Sequence, residues 1–316
     1  MDSFAGRLAV VTGGGSGMGR ELVIQLAAEG CSVATCDVHE NTVAETRRLA
    51  EKEAGPDVRI TTHRCDVADE SSVIRLRDEV VAQHETDHID LLFNNAGIGG
   101  GASFITSDRV EWDRTFAVCW GGVYNCSRAF VPLLIASEDA YLINTSSVNG
   151  FWACLGPGNP HTAYSTAKFA VKGFSESLVT DFKVNAPHVK VAVVMPGHIG
   201  TDIVNNTWRV HGGAAPESMN DKQIADVRAS LQQTGVALDG VSDEQLRAGL
   251  KMMGDGFREN APVSAGEAAT IILDGVRKDS WRILVGDDAH ALDAAIRDNP
   301  TSTYDGTIGL TGLVGR

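Results

Sequence analysis

The sequence predicts an α/β protein built on a doubly wound parallel sheet of about seven strands flanked by helices, and three observations predict it. Short apolar, β-branched runs alternate with longer amphipathic ones up to about residue 195. A glycine-rich turn, TGGGSGMG at 12–19, joins the first such run to an amphipathic stretch at 21–29. An acidic residue, Asp37, ends the next run roughly 20 residues beyond the glycines. Parallel neighbours need right-handed crossover connections, and ligands in such sheets bind beyond the carboxyl ends of the strands.

Candidate strands occupy 8–12, 32–37, 59–64, 89–94, 140–145, 190–195 and 282–285. In the turn after the first, Gly13, Gly17 and Gly19 remove every Cβ where the backbone must bend, approach a phosphate and pack on the strand. Ser16 and Met18 lie between them, and the helix that follows aims free N–H groups at an anion. Such a turn alone also makes ordinary tight loops. The second strand ends in Asp37, whose carboxylate can accept hydrogen bonds from an adenosine 2′-hydroxyl and repel a 2′-phosphate. Neither Val38 nor Ser16 offers a cation, so NAD is favoured over NADP; the bland alternative is that Asp37 caps the next helix. After the third strand, Asp66 can accept from an adenine amino group while Val67 lies against the ring. After the fourth comes NNAG, in which Asn94, Ala96 and Gly97 would border the nucleotide.

The fifth strand ends in Ser146 and Ser147, on the same rim as the nucleotide. Tyr164 and Lys168 stand four apart at the start of a long helical pattern, which puts them on one face. A phenol titrates near 10 when unperturbed, and a neighbouring ammonium stabilises phenolate. A hydroxyl there can hold a substrate oxygen while the phenol exchanges a proton with it and hydride passes to or from a nicotinamide.

Composition agrees with one catalytic domain over residues 1–300. A chain of 316 residues at 43% hydrophobic and 22% charged can bury a large core, which excludes a disordered chain. A net charge of −14 leaves no basic patch for a phosphate backbone, so nucleic acid is not an expected partner. No apolar run reaches the roughly 18 residues of a membrane span, and a cytoplasmic location is expected. The cysteines (31, 36, 65, 119, 126 and 154) form no C-x-x-C pair and read as reduced core residues. The histidines lack ligand spacing, so no metal is expected.

Taken in order, TGGGSGMG, Asp66-Val67, NNAG, TSS at 145–147, YSTAK at 164–168 and PGHIGT at 196–201 resemble the short-chain dehydrogenase/reductase family in its compact, single-domain Rossmann form, over nearly the whole chain. The resemblance implies an oxidoreductase acting on a secondary alcohol or ketone. It implies that Tyr164 is the general acid/base, that Ser147 steadies the substrate oxygen and that Lys168 also binds the nicotinamide ribose. Pro196, Gly197, Ile199 and Thr201 would hold the nicotinamide carboxamide. It further implies a homodimer through helices at 108–136 and 162–186, with a homotetramer left open. One family position differs: FAVCWGGV places Cys119 where an asparagine usually completes a proton relay, leaving the relay to waters and ribose hydroxyls or to Asn149 or Ser146. An NADP-linked carbonyl reductase and a weakly catalytic nucleotide sensor are the alternatives.

Specificity is less legible. Phe151, Trp152 and Leu155 offer apolar surface after Ser147, with Trp152 read as a pocket wall and His161 as a solvent-facing loop residue. Residues 202–263 are expected to form an enlarged lid, with helices at 221–233 and 243–253, a mobile cover at 207–213, and Met252 and Met253 facing the ligand or the core, of which the core is favoured. A helix, an edge strand and a last helix follow to 296, and 301–316 is an extended tail.

Overall fold

The structure is a computed structural model, and it describes residues 1–156, 158–233 and 235–305. Its centre is a seven-stranded parallel sheet made of β1 (Leu8–Thr12), β2 (Ser32–Asp37), β3 (Ile60–Arg64), β4 (Leu91–Asn94), β5 (Ala140–Thr145), β6 (Val189–Pro196) and β9 (Arg282–Val285). The order is β3-β2-β1-β4-β5-β6-β9. Winding therefore reverses between β1 and β4, which pair through Ala9↔Leu91 to Val11↔Phe93. A crevice opens at such a reversal because the loops leaving the two strands turn to opposite faces.

Strand alternation builds two apolar layers. Ala9 and Val11 face a core with Leu22 and Leu26 of α1 (Gly17–Ala28), Ala50 of α2 (Glu40–Glu53) and Ile272 of α10 (Ala265–Arg277). Leu8 and Val10 face the other, with Leu76 of α3 (Glu70–His84), Phe130 of α5 (Gly122–Ile135) and Ala167 of α6 (Thr162–Asn185). Between α4 (Arg109–Phe116) and α5 the chain makes a π-helical turn, Ala117–Gly121. The first helix starts at Gly17, inside the glycine turn and ahead of the expected 21, so its amino end points into the crevice.

The lid folds as α7 (Ile203–Gly212), α8 (Asp221–Gln233) and α9 (Asp243–Glu259) around a small core of Met219, Ile224, Val227, Leu246 and Leu250. Its two ends are stitched together, since β7 (Ile199–Gly200) pairs with β8 (Val263–Ser264) and Arg258 meets Asp202 at 2.5 Å. The segment 207–213, expected as a mobile cover, continues α7 up to Gly213, and Thr207 Oγ1 accepts the Gly99 N–H at 2.8 Å. Met252 and Met253 are not core residues but are 73% and 53% exposed. The helix buries Leu246, Leu250 and Gly254, a four-residue stripe that leaves both methionines off its inward face.

α11 (Asp287–Asp298) completes the fold, and beyond it the Tyr304 hydroxyl accepts the Ala153 N–H at 3.1 Å. The start of the tail thus rests on the loop after β5; residues 306–316 lie outside the described residues. Among the described residues no helix is long and apolar enough to cross a membrane. Because the lid has its own core, Ile224→Ala should destabilise it by about 2–5 kcal/mol, whereas Met252→Ser should stay within about 0.5 kcal/mol. Denaturant titration followed through Trp208, which packs on that core, checks both.

Candidate active site

The crevice is shaped by what cannot fit there. Gly13 adopts φ +67°, and a Cβ on it would lie 2.8 Å from the Ala96 Cα. A Cβ on Gly19 would stand 2.2 Å from the Gly13 carbonyl oxygen. The ends of β1 and β4 are clasped together: Thr12 Oγ1 accepts the N–H groups of Asn95 (3.0 Å) and Ala96 (3.1 Å), and Asn95 Nδ2 donates to the Thr12 carbonyl (3.1 Å). At the start of α1, Ser16 makes no side-chain cap and no acidic residue occupies the first turn. Those N–H donors therefore face the crevice with nothing of the chain's own to neutralise them, the arrangement an anion requires. Ser16 Oγ instead accepts from Asn206 Nδ2 of α7 at 3.0 Å, which closes the lid over the turn.

Of the residues read from the sequence, Gly13, Ser16, Gly17, Met18, Asp37, Val38, Asp66, Val67, Ala96, Gly97 and Thr201 line this one cleft. Asp37 accepts the N–H groups of Gly15 and His39, both at 3.2 Å. Arg20 also lines the cleft, so a cation does stand in the same cleft as Asp37, supplied by a side chain 17 residues earlier in the chain. Arg20 is itself tied to the Gly15 carbonyl and to Thr46 Oγ1 at 3.0 Å. Asp66 is paired with Arg114 at 2.8 Å. Asn94 turns away from the cleft: its Nδ2 donates to Ser127 Oγ (3.1 Å) and to Asn144 Oδ1 (2.8 Å) inside the core. Its neighbour Asn95 lines the cleft instead, a choice that strand alternation could have signalled.

The second group of predicted residues adjoins the first. A Cβ on Gly97 would lie 3.5 Å from Lys168 Nζ, so cleft and lysine touch. Lys168 is 2% exposed and donates to the Thr145 carbonyl at 2.8 Å, with Nζ 5.4 Å from the centre of the Tyr164 ring. Burial pushes the Tyr164 phenol well above its ordinary range, and the neighbouring Ser147 hydroxyl offsets only part of that rise. Burial also draws the Lys168 ammonium down. The sequence expectation that the lysine would lower the phenol is not what governs it: burial does, and it favours the protonated phenol.

Cys119 sits in the π-helical turn, fully buried, with Sγ donating to the Ile98 carbonyl at 3.1 Å. The donor groups of both suggested substitutes are engaged elsewhere, which leaves only their oxygens to accept from a water. Asn149 Nδ2 donates to the carbonyls of Trp152 (2.9 Å) and Cys154 (2.8 Å), and Ser146 Oγ donates to that of Lys168 (2.7 Å).

Two further readings are corrected. Trp152 is no pocket wall: it is wholly buried with Val148, Ala289 and Leu292. His161 is not solvent-facing; it stacks on Tyr164 with ring centres 4.7 Å apart, and burial lowers its pKa to about 4. The segment from Pro196 to Thr201 is pinned from below, since Asp288 Oδ2 accepts the His198 N–H at 2.6 Å and its carboxylate occupies the space a Cβ on Gly197 would need. Ile199 is buried there, and Thr201 packs against Gly17.

The geometry has counterparts among known proteins. A protein of Mycobacterium tuberculosis named as an oxidoreductase, SadH, is 33% identical over 94% of this chain and 92% of its own length. A short-chain dehydrogenase/reductase from Burkholderia phymatum, solved in complex with NAD, superposes with a TM-score of 0.73 at 25% identity, over 96% of this chain and 95% of that one. A metagenomic short-chain oxidoreductase, solved in complex with NADP, gives 0.54 at 27% identity, over 73% and 92% of the two chains. Residues 7–211 match the profile of the short chain dehydrogenases, so a turn that admits no Cβ, a clasped pair of strand ends and an adjoining Ser-Tyr-Lys group belong here to a member of that family, an oxidoreductase of alcohol and carbonyl groups that uses a nicotinamide cofactor.

Proposed function

We propose that the protein moves hydride between NAD(H) and a secondary alcohol or its ketone with apolar surroundings, and that Tyr164 is its general acid/base. The observation that carries this reading is the contact at Gly97, which joins the nucleotide-sized cleft to Lys168 and so to Tyr164 and Ser147. Ser147 Oγ holds the substrate oxygen beside the phenol, and Tyr164 gives it a proton in reduction or takes one in oxidation. Lys168, anchored on the Thr145 carbonyl, stabilises the phenolate and binds the ribose nearest the reacting carbon. The nicotinamide supplies or accepts the hydride. The N–H groups at the start of α1 would hold the pyrophosphate, Asp37 the adenosine ribose, Asp66 and Val67 the adenine, and Ile199 and Thr201 the carboxamide. Asp37 supports NAD. Arg20 supports the second reading, NADP, but it is already engaged with Gly15 and Thr46. Pairing of two copies through α4, α5 and α6 is supported by Tyr124 and Phe169, 45% and 41% exposed on those helices.

Because the phenol titrates above its ordinary range, it keeps its proton at neutral pH. Ketone reduction should stay level between about pH 6 and 9, while alcohol oxidation climbs through the same interval, since only oxidation needs the proton gone. Tyr164→Phe should lower both by about 10²–10⁴-fold; retained activity in that variant would remove Tyr164 from the mechanism. Asp37→Ser should shift preference toward NADP by about tenfold or more, through loss of one charge-assisted acceptor and one repulsion. Equilibrium binding of the two nucleotides measures this, and tighter NADP binding by the unsubstituted protein would decide for the second reading.

A further inference from the structure

His161 is the one side chain stacked on Tyr164 among the described ring contacts, with ring centres 4.7 Å apart and planes 23° from parallel. It is the N-cap residue of α6, yet its side chain makes no capping hydrogen bond. Its Nδ1 is buried and has no hydrogen-bond partner. Burial lowers the imidazole pKa to about 4, so near neutral pH the ring carries one N–H and one lone pair. A neutral imidazole can donate or accept at a given nitrogen by choosing its tautomer, and so can meet either a hydroxyl or a carbonyl. A ring needed only for packing on the phenol would carry no polar edge, because an unpaired buried nitrogen costs stability that a phenyl ring avoids.

The surroundings keep the ring in place. Thr162, next in the chain, donates its N–H to the Ala102 carbonyl at 2.8 Å, and its Oγ1 accepts from Trp112 Nε1 at 3.1 Å. The Ala163 N–H is held by the Gly101 carbonyl at 3.0 Å. His161 is thus set on a fixed backbone at the head of the helix that bears Tyr164 and Lys168.

We propose that His161 is a specificity-determining residue that binds a second oxygen of the substrate, carried on the carbon next to the reacting one, so that vicinal diols, hydroxyketones and diketones are preferred over plain alcohols and ketones. The stack sets the imidazole directly beside the phenol. Ser147 and Tyr164 take the reacting oxygen, and a neighbouring oxygen then falls against the imidazole edge. That hydrogen bond satisfies the nitrogen the fold leaves unpaired, while the ring also fixes the phenol. This proposal rests on the assignment of Ser147 and Tyr164 to the reacting oxygen.

The test is steady-state kinetics with NAD+ on a matched pair, 2-butanol and 2,3-butanediol, for the unsubstituted protein, His161→Phe and His161→Asn. The unsubstituted protein should favour the diol in kcat/KM. His161→Phe keeps the stack and removes the nitrogen, so the diol-to-alcohol ratio of kcat/KM should fall about tenfold, mainly through the diol's KM. His161→Asn places an amide group where Nδ1 was and loses the stack. It should restore the ratio while lowering kcat for both substrates. A ratio unchanged in His161→Phe, or a fall shared equally by both substrates in both variants, overturns the proposal and leaves the roles of Ser147 and Tyr164 standing. If the unsubstituted protein oxidises neither substrate nor any other alcohol, those roles fail and this proposal falls with them.

Discussion

The closeness of two strand ends governs this molecule. β1 and β4 leave the sheet side by side, and the hydroxyl of Thr12 accepts two successive N–H groups of the neighbouring loop while Asn95 returns a bond to the Thr12 carbonyl. Side chains are excluded from Gly13 and Gly19 as a result. With no Cβ in the way, the first turn of α1 starts directly behind the turn, and its uncapped N–H groups open onto the cleft. The crevice, its depth and its preference for an anion all follow from that clasp.

The reacting end is built on a second constraint, a lysine held where water does not reach it. Lys168 is tied to the Thr145 carbonyl at the end of β5, and Ser146 binds the Lys168 carbonyl in return. Strand and helix are thereby locked at the point where Ser147 and Tyr164 meet. Burial raises the phenol and lowers the ammonium together, so each group is drawn toward its neutral form and the phenol holds its proton more firmly than it would in water. The π-helical turn at Ala117–Gly121 brings Cys119 toward this pair, but its thiol is committed to the Ile98 carbonyl.

Motifs whose chemistry is local were legible in the sequence. The glycine turn, Asp37, Ser147 and the Tyr164/Lys168 pair depend on nearest-neighbour spacing, and the structure brings them to one rim. Residues whose roles depend on which way a side chain points were not. Asn94 and Asn95 differ by a single step along a strand end, and only that step decides which enters the core. Trp152 and His161 lie in one loop with similar surroundings in sequence; the first became core because α11 packs beneath it, and the second became a neighbour of Tyr164 because α6 starts there. Arg20 reached the ribose corner from one helical turn away, and the lid methionines were misplaced because an exposed face can also be apolar.

The most direct test of the account follows the hydrogen itself. A secondary alcohol carrying deuterium on its carbinol carbon is incubated with NAD+ and the protein, and the reduced nucleotide is analysed by mass spectrometry. The account predicts one deuterium in the reduced nicotinamide and none in the solvent, because the phenol of Tyr164 handles only the hydroxyl proton. Deuterium released to water, or an unlabelled reduced nucleotide, would contradict hydride transfer at this site.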